Sequence, residues 1–270
     1  MARRMPHGLK AYENSEFMSS PEARPLRILA EYLYPLNQFE KFDVESTIVF
    51  FGSSRIKSPA EIRKMKRALA KRKLSDLERK QLFNLETLSR YYREASQLAY
   101  RLTLWSKSLP RTSRKKRFVI CSGGGSGIME AANRGASLAR GLSIGMNISI
   151  PLEQKPNRYI TPSLCFDFNY FFMRKYWLMN PARALVIFPG GFGTMDELFE
   201  LLTLVQTKKA QHPLPIVIYG LEYWKKLINF EVFVEWGMIA PEDLELIHLS
   251  DSVDDAFDYL TRNLLALSQT

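Results

Sequence analysis

Short uninterrupted apolar runs, each followed by an amphipathic stretch, constrain this chain more than any other feature of its sequence. Thr47-Ile48-Val49-Phe50-Phe51, Arg117-Phe118-Val119-Ile120-Cys121 and Ala184-Leu185-Val186-Ile187-Phe188 lack the polar alternation of a one-sided strand. They read as strands buried on both faces. Further strands are expected at 143–150, near 164–168, at 215–219 and near 246–249, with helices at 128–140, about 170–180, 194–206, 221–230 and 253–265. A long helical stretch at 59–108 is expected to break near Lys73-Leu74-Ser75, its second part carrying Tyr91, Ala95, Leu98 and Leu102 on one face. This alternation predicts an α/β fold with a mainly parallel sheet and helices on both faces.

Before the first strand, Leu26, Leu29, Ala30, Leu33 and Leu36 mark one face of a helical extension. Residues 1–25 are polar and proline-rich and are expected to form a flexible arm. At 270 residues and 46% hydrophobic content, positions 26–270 are enough for one domain with a large core and a basic helical insert near 58–82.

No window approaches the roughly 18 apolar residues of a membrane span, and the first 25 residues hold charges and prolines in place of a secretion signal. The chain reads as soluble and cytoplasmic. Two cysteines, Cys121 and Cys165, and three scattered histidines, His7, His212 and His248, argue against a disulfide framework or a metal site. The net charge of +10 is local: residues 54–117 hold 20 Lys/Arg and 5 Asp/Glu. Within them, Arg63-Lys64-Met65-Lys66-Arg67-Ala68-Leu69-Ala70-Lys71-Arg72-Lys73 has helical composition and no interleaved aromatic residue for base stacking. A solvated helical face is favoured over a polyanion patch, and nucleic acid is not the expected partner.

Ligands of such folds bind at the carboxyl ends of the strands, where glycine-rich turns lead into helices. Three turns qualify: Gly52-Ser53-Ser54, Ser122-Gly123-Gly124-Gly125-Ser126-Gly127 and Pro189-Gly190-Gly191-Phe192-Gly193-Thr194. Glycine lets backbone N–H groups approach an anion, and the positive end of the following helix stabilises phosphate. Neither longer turn completes a dinucleotide fingerprint, since the third glycine position holds Glu130 or Asp196, and no P-loop lysine is present. The plain alternative is that these glycines only allow tight strand-to-helix packing.

Glu197 has two readings. Thr194-Met195-Asp196-Glu197 fits a capping box, in which the glutamate bonds back to the helix start. Equally, with Met195, Leu198, Phe199, Leu202 and Val205 turned to the core, Glu197 can stand on a neighbouring face at the helix mouth and act on a bound sugar. Arg174, in the first turns of a helix after a strand, belongs to the same sheet edge. Together with Lys175 it reads equally as a solvated charge pair.

In combination, Gly52-Ser53-Ser54, Gly123-Gly124-Gly125-Ser126-Gly127-Ile128-Met129, Arg174-Lys175 and Pro189-Gly190-Gly191-Phe192-Gly193-Thr194-Met195-Asp196-Glu197 resemble the LOG family of nucleoside-monophosphate phosphoribohydrolases, in its longer bacterial form. The resemblance runs from about Pro25 to Phe257 and includes Asn147-Ile148-Ser149-Ile150-Pro151-Leu152-Glu153-Gln154. It implies a Rossmann-like, doubly wound fold, a homodimer or larger homo-oligomer with the site near the interface, and hydrolysis of AMP or N6-modified AMP to free base and ribose 5-phosphate. It makes Arg174 and Glu197 catalytic. Gly52, Ser53, Ser54, Gly124, Gly125, Gly127, Met129, Lys175, Gly190, Gly191, Gly193 and Thr194 become the substrate- and phosphate-binding set. Members are often labelled lysine decarboxylases; nothing here supports a pyridoxal-phosphate lysine, and no cofactor or metal is expected. Asn169 stands where the longer members are expected to carry histidine. A non-catalytic nucleotide sensor on the same fold and a nucleic-acid-binding accessory protein are the competing functions.

Overall fold

Parallel strands cannot be joined by hairpins, so each needs a crossover element. The computed structural model describes residues 8–70, 74–110, 115–151, 155–209 and 214–267. His7, His212, Lys71, Arg72, Lys73 and residues 152–154 lie outside them. Among the described residues one sheet contains β1 (Thr47–Phe51), β2 (Val119–Ser122), β3 (Ser143–Ile148), β4 (Cys165–Phe168), β5 (Ala182–Ile187), β6 (Ile216–Tyr219) and β7 (Ile247–Ser250). All pairs are parallel, in the order β4-β3-β2-β1-β5-β6-β7. The helices are α1 (Ser15–Ser19), α2 (Arg24–Lys41), α3 (Pro59–Leu69), α4 (Asp76–Ser108), α5 (Ile128–Leu138), α6 (Phe171–Met179), α7 (Phe192–Gln206), α8 (Leu221–Leu227), α9 (Phe230–Glu235) and α10 (Val253–Leu267). This is the expected Rossmann-like, doubly wound α/β fold.

Successive side chains of a strand point to opposite faces, and the central strands supply two cores accordingly. Ile48, Phe50, Val186 and Val217 pack with Tyr91, Ala95, Leu98 and Leu102 of α4, and with α5 and α10. Val49, Phe51, Leu185 and Ile187 pack on the other face with Trp177 of α6, Leu198 and Leu201 of α7 and Trp224 of α8. Each fully buried large apolar side chain contributes about 1.5–3 kcal/mol of transfer free energy.

The break expected near residues 73–75 separates α3 from α4. Ser58 with Glu61, and Ser75 with Glu78, form capping boxes at the two helix starts. α3 buries only Ile62 and pairs Lys66 with Glu86 of α4, as a solvated basic helix does. Residues 221–230, expected as one helix, hold all of α8 and the first residue of α9, because the Asn229 side chain accepts from the Glu231 N–H and restarts the chain as α9.

The extension departs from expectation. α2 forms, but Leu29 and Leu33 are 51% and 48% exposed, and Leu26 and Leu36 also face outward. The helix docks through a different flank, where Phe39 meets Trp177 edge-on at 5.4 Å and the Trp177 indole donates to the Glu31 carbonyl at 3.1 Å. Aromatic contact and hydrogen bonding decide the docking face, while the leucine stripe is left over. Within the expected arm, residues 11–13 and 15–19 form short helical turns, which Arg27 ties down by donating to the carbonyls of Met18 and Ser20, both at 2.7 Å. No described helix is long and apolar enough to cross a membrane.

Leu98 is fully buried between α4 and the sheet. Leu98→Ala is expected to lower unfolding free energy by about 2–5 kcal/mol in urea titrations, as cavities in rigid cores do.

Candidate active site

The sheet order reverses between β1 and β5, so the loops after these strands part in opposite directions and leave a crevice at their carboxyl ends. The crevice is a cavity of about 580 Å³. Gly52, Ser53 and Ser54 line it from the first loop, Gly123 and Met129 from the second. Gly191, Gly193, Thr194 and Glu197 line it from the third, and Arg174 reaches it from α6.

Backbone hydrogen bonds lock the three loops together. The Ser53 N–H donates to the Pro189 carbonyl at 2.9 Å, and the Ile128 N–H to the Ser53 carbonyl at 3.1 Å. Gly127 is at φ 68°, and a Cβ there would overlap the Ser53 carbonyl. Its role is therefore this loop packing, and Gly127 shapes the cleft from behind. Gly124, Gly125 and Gly190 likewise do not line the cavity. Gly191 and Gly193 differ: a Cβ at either would meet nothing within 4 Å. Packing does not require glycine at those two positions, and the space left open faces the cleft.

A buried polar network, not apparent in the sequence, holds the second loop. The Asn157 amide donates to the carbonyls of Gly124 and Gly125, both at 3.0 Å, and to Asn133 Oδ1 at 2.9 Å. Asn133 in turn accepts from Ser122 Oγ at 2.7 Å and donates to Ser143 Oγ at 2.8 Å. The one signal in the sequence is an asparagine on the apolar face of α5, after Ala131 and Ala132.

The capping-box reading of Glu197 fails. α7 starts at Phe192 with Gly191 as its cap, so Glu197 lies in the second turn, beyond reach of the helix start. The deepest face of α7 is Thr194, Glu197, Leu198 and Leu201, while Phe199 is exposed. Glu197 is only 5% exposed, and its Oε2 is buried with no hydrogen-bond partner. Burial pushes its pKa up to about 7, against the opposing pull of the Arg174 and Lys175 charges.

Arg174 is held by its Nε–H, which donates to the Met146 carbonyl at 2.8 Å. The guanidinium lies against Gly123, where a Cβ would displace it. Burial lowers its pKa while the Glu197 charge opposes that shift. Lys175 turns away from the cavity. Its ammonium is 2.8 Å from Asp196 and 2.6 Å from Glu200, bracing α6 against α7. Arg55, Phe171 and Phe192 also line the cleft, outside the expected set of binding and catalytic residues; Phe192 is 96% exposed at its mouth.

A family model described as "Possible lysine decarboxylase" matches residues 129–260. The chain is similar to two cytokinin riboside 5′-monophosphate phosphoribohydrolases of Arabidopsis thaliana. It is 29% identical to LOG7 over 104 residues, covering 34% of this chain and 47% of that one. It is 30% identical to LOG1 over 96 residues, covering 33% and 44%. The match thus spans less than half the length of these curated relatives. Among solved structures, the X-ray structure of TM1055 aligns at TM-score 0.49 and 16% identity, covering 80% of this chain and 99% of that one. The molybdenum cofactor binding protein from the phototrophic bacterium Rippkaea orientalis aligns at TM-score 0.48 and 15% identity, covering 82% and 98%.

A carboxyl with a folded pKa of about 7 and an ordinary value of 4.5 destabilises the fold once it is ionised. The penalty is absent below about pH 4.5, grows as pH rises through the interval and is complete above about pH 7. Glu197→Gln is therefore expected to stabilise the protein at pH 8 by up to roughly 3 kcal/mol and to leave it nearly unchanged at pH 4. Thermal melts at the two pH values read this difference.

Proposed function

We propose that this chain, a relative of the LOG family, hydrolyses the N-glycosidic bond of a nucleoside 5′-monophosphate, AMP or an N6-modified AMP, giving free base and ribose 5-phosphate. The observation that carries this reading is the nearly buried Glu197 carboxyl, whose Oε2 has no hydrogen-bond partner, on the wall of the cleft that Arg174 also enters. A carboxylate oxygen kept from water and without a hydrogen bond is costly to the fold and suited to a cationic partner. The names of the curated relatives, as phosphoribohydrolases of a riboside 5′-monophosphate, favour the same substrate class.

In this reading the 5′-phosphate sits against the open faces of Gly191 and Gly193, the hydroxyls of Ser53, Ser54 and Thr194, and the start of α7. Arg174 contacts the phosphate or the sugar hydroxyls. Phe171, Phe192, Ile148 and Ile150 give the cleft an apolar flank that suits a purine. As the C1′–N bond lengthens, positive charge builds on the ribose and the ionised Glu197 stabilises it. Water adds its oxygen to C1′, and the base leaves with a proton. Leu29 and Leu33 of α2 and Phe172 and Tyr176 of α6 are exposed apolar side chains on a flank where the Tyr32–Tyr176 ring contact at 5.6 Å joins the two helices. That flank favours a homodimer.

The test is release of free base from AMP, other monophosphates and the matching nucleosides. Base is expected from a monophosphate and not from the nucleosides, and Glu197→Gln is expected to slow release by about 10²–10⁴-fold. Binding of AMP without release, or equal rates in Glu197→Gln, sinks the enzymatic reading in favour of a sensor. Because Glu197 must be ionised, kcat/KM is expected to rise with pH and level off above the Glu197 pKa of about 7. A profile flat from pH 5 to 9 contradicts the assigned role.

A further inference from the structure

α6 carries Arg174 into the cleft, yet its own sequence does little to fix where it starts. Its cap, Tyr170, makes no side-chain capping hydrogen bond, and its first turn holds no acidic residue. Asn169 and Tyr170 alone join β4, which ends at Phe168, to the first residue of the helix, Phe171. A helix of nine residues has little stability of its own, so its position depends on what packs against it.

The N-terminal extension supplies the missing cap. The carboxylate of Glu31, in α2 and 138 positions away in the chain, accepts the Asn169 N–H at 2.8 Å on one oxygen and the Tyr170 N–H at 3.4 Å on the other. Its negative charge also complements the positive end of the helix dipole. Near the far end of α6, the Glu31 carbonyl accepts the Trp177 indole N–H at 3.1 Å. One residue of α2 thus grips α6 at both ends. Arg24 and Arg27 reinforce the clasp on Tyr170. The Arg24 guanidinium lies over its ring at 5.5 Å, and the Arg27 Nε–H donates to its hydroxyl at 3.3 Å.

The path from this clasp to the cleft is short. The Tyr170 carbonyl accepts the backbone N–H of Arg174 at 3.1 Å, so Glu31 and Arg174 bond to opposite sides of one residue. The Arg174 side chain is then anchored by the Met146 carbonyl at 2.8 Å. If α6 shifts at Tyr170, the Arg174 backbone moves relative to Met146, and the guanidinium leaves its place against Gly123. The third loop has separate supports, in the Ser53 N–H on the Pro189 carbonyl and the Tyr223 hydroxyl on the Gly190 carbonyl.

From this geometry we infer that Glu31 is a positioning residue, through which the N-terminal extension fixes Arg174 in the cleft. The inference rests on the reading of the cleft as a site of N-glycosidic hydrolysis. It gives the extension a part in that reaction without contact with substrate.

Two measurements on the full chain test it: steady-state release of base from AMP, and the NMR signal of the Arg174 Nε–H, assigned by its absence in Arg174→Lys. Glu31→Ala is expected to lower kcat about 10–10²-fold, as small misplacements of a reacting group do. KM changes little, because in this reading the phosphate sits on the third loop. In the same variant the Arg174 Nε–H exchanges with solvent faster than in the wild type. Glu31→Gln, which keeps an oxygen acceptor for the two N–H groups, retains most of the rate and of the protection. Phe39→Leu removes the Phe39–Trp177 ring contact elsewhere on α2 and controls for general loosening; it lowers the thermal midpoint and keeps kcat near wild type. The inference is overturned if Glu31→Ala keeps wild-type kcat, or if it leaves the Nε–H as protected as before. Equal slowing by Phe39→Leu also overturns it. If the wild type itself releases no base, the functional reading fails, and the Nε–H protection in Glu31→Ala alone decides for or against the positioning role.

Discussion

The seam between β1 and β5 is the constraint on which the rest of the molecule depends. These strands are far apart in sequence, yet they pair in parallel along their whole length, and the pairing continues into their loops. The Phe188 N–H donates to the Phe51 carbonyl and the Ser53 N–H to the Pro189 carbonyl, both at 2.9 Å. The helices that follow these loops leave toward different faces, so the seam opens into a cleft without any residue devoted to opening it. Everything assigned to the site is measured from this seam. Gly127 is glycine because the Ser53 carbonyl occupies the place of its side chain, and Gly191 is glycine although nothing does.

That contrast separates glycines that packing requires from glycines that it does not. A motif rich in glycine invites one explanation for all its members, but the loops divide. Gly124, Gly127 and Gly190 answer to neighbours within the fold, while Gly191 and Gly193 leave room beside Glu197. The carboxylate follows the same logic. Had Thr194 been the cap of α7, Glu197 would have stood at the third helical position with a backbone partner; a cap three residues earlier leaves it in the second turn, buried and with Oε2 unpaired. A shift of less than one helical turn thus separates a capping glutamate from one that lines the cleft.

Much of this was legible in the sequence because apolar period and turn chemistry are local signals. The strand Thr47–Phe51 is found as read, and the buried face of α4 carries the four residues expected. What escaped was non-local. The leucines of α2 have better helical periodicity than Phe39, but periodicity cannot say which stripe a distant Trp177 will cover. Asn133 and Asn157 are separated by 24 positions and acquire meaning only when α5 brings one of them under the glycine loop. Lys175 stands beside Arg174 in sequence, yet neighbours on a helix point about 100° apart, and Asp196 and Glu200 claim it.

Net charge illustrates the same limit from the other side. The basic excess is strong enough to suggest a polyanion partner, but the cleft proposed to hold a phosphate uses little of it. Among the described residues, Arg55 and Arg174 are the only Lys or Arg side chains lining that cleft, so in the proposed reading most of the attraction for an anion comes from backbone N–H groups and a helix start. The lysines and arginines instead lie along α3 and α4 and around the amino edge of the sheet. Anion recognition by backbone works at short range and is tied to geometry, whereas a cluster of side-chain cations works through its summed field. The two edges of the sheet therefore differ in chemistry, with a buried carboxyl at one and a cluster of lysines and arginines at the other.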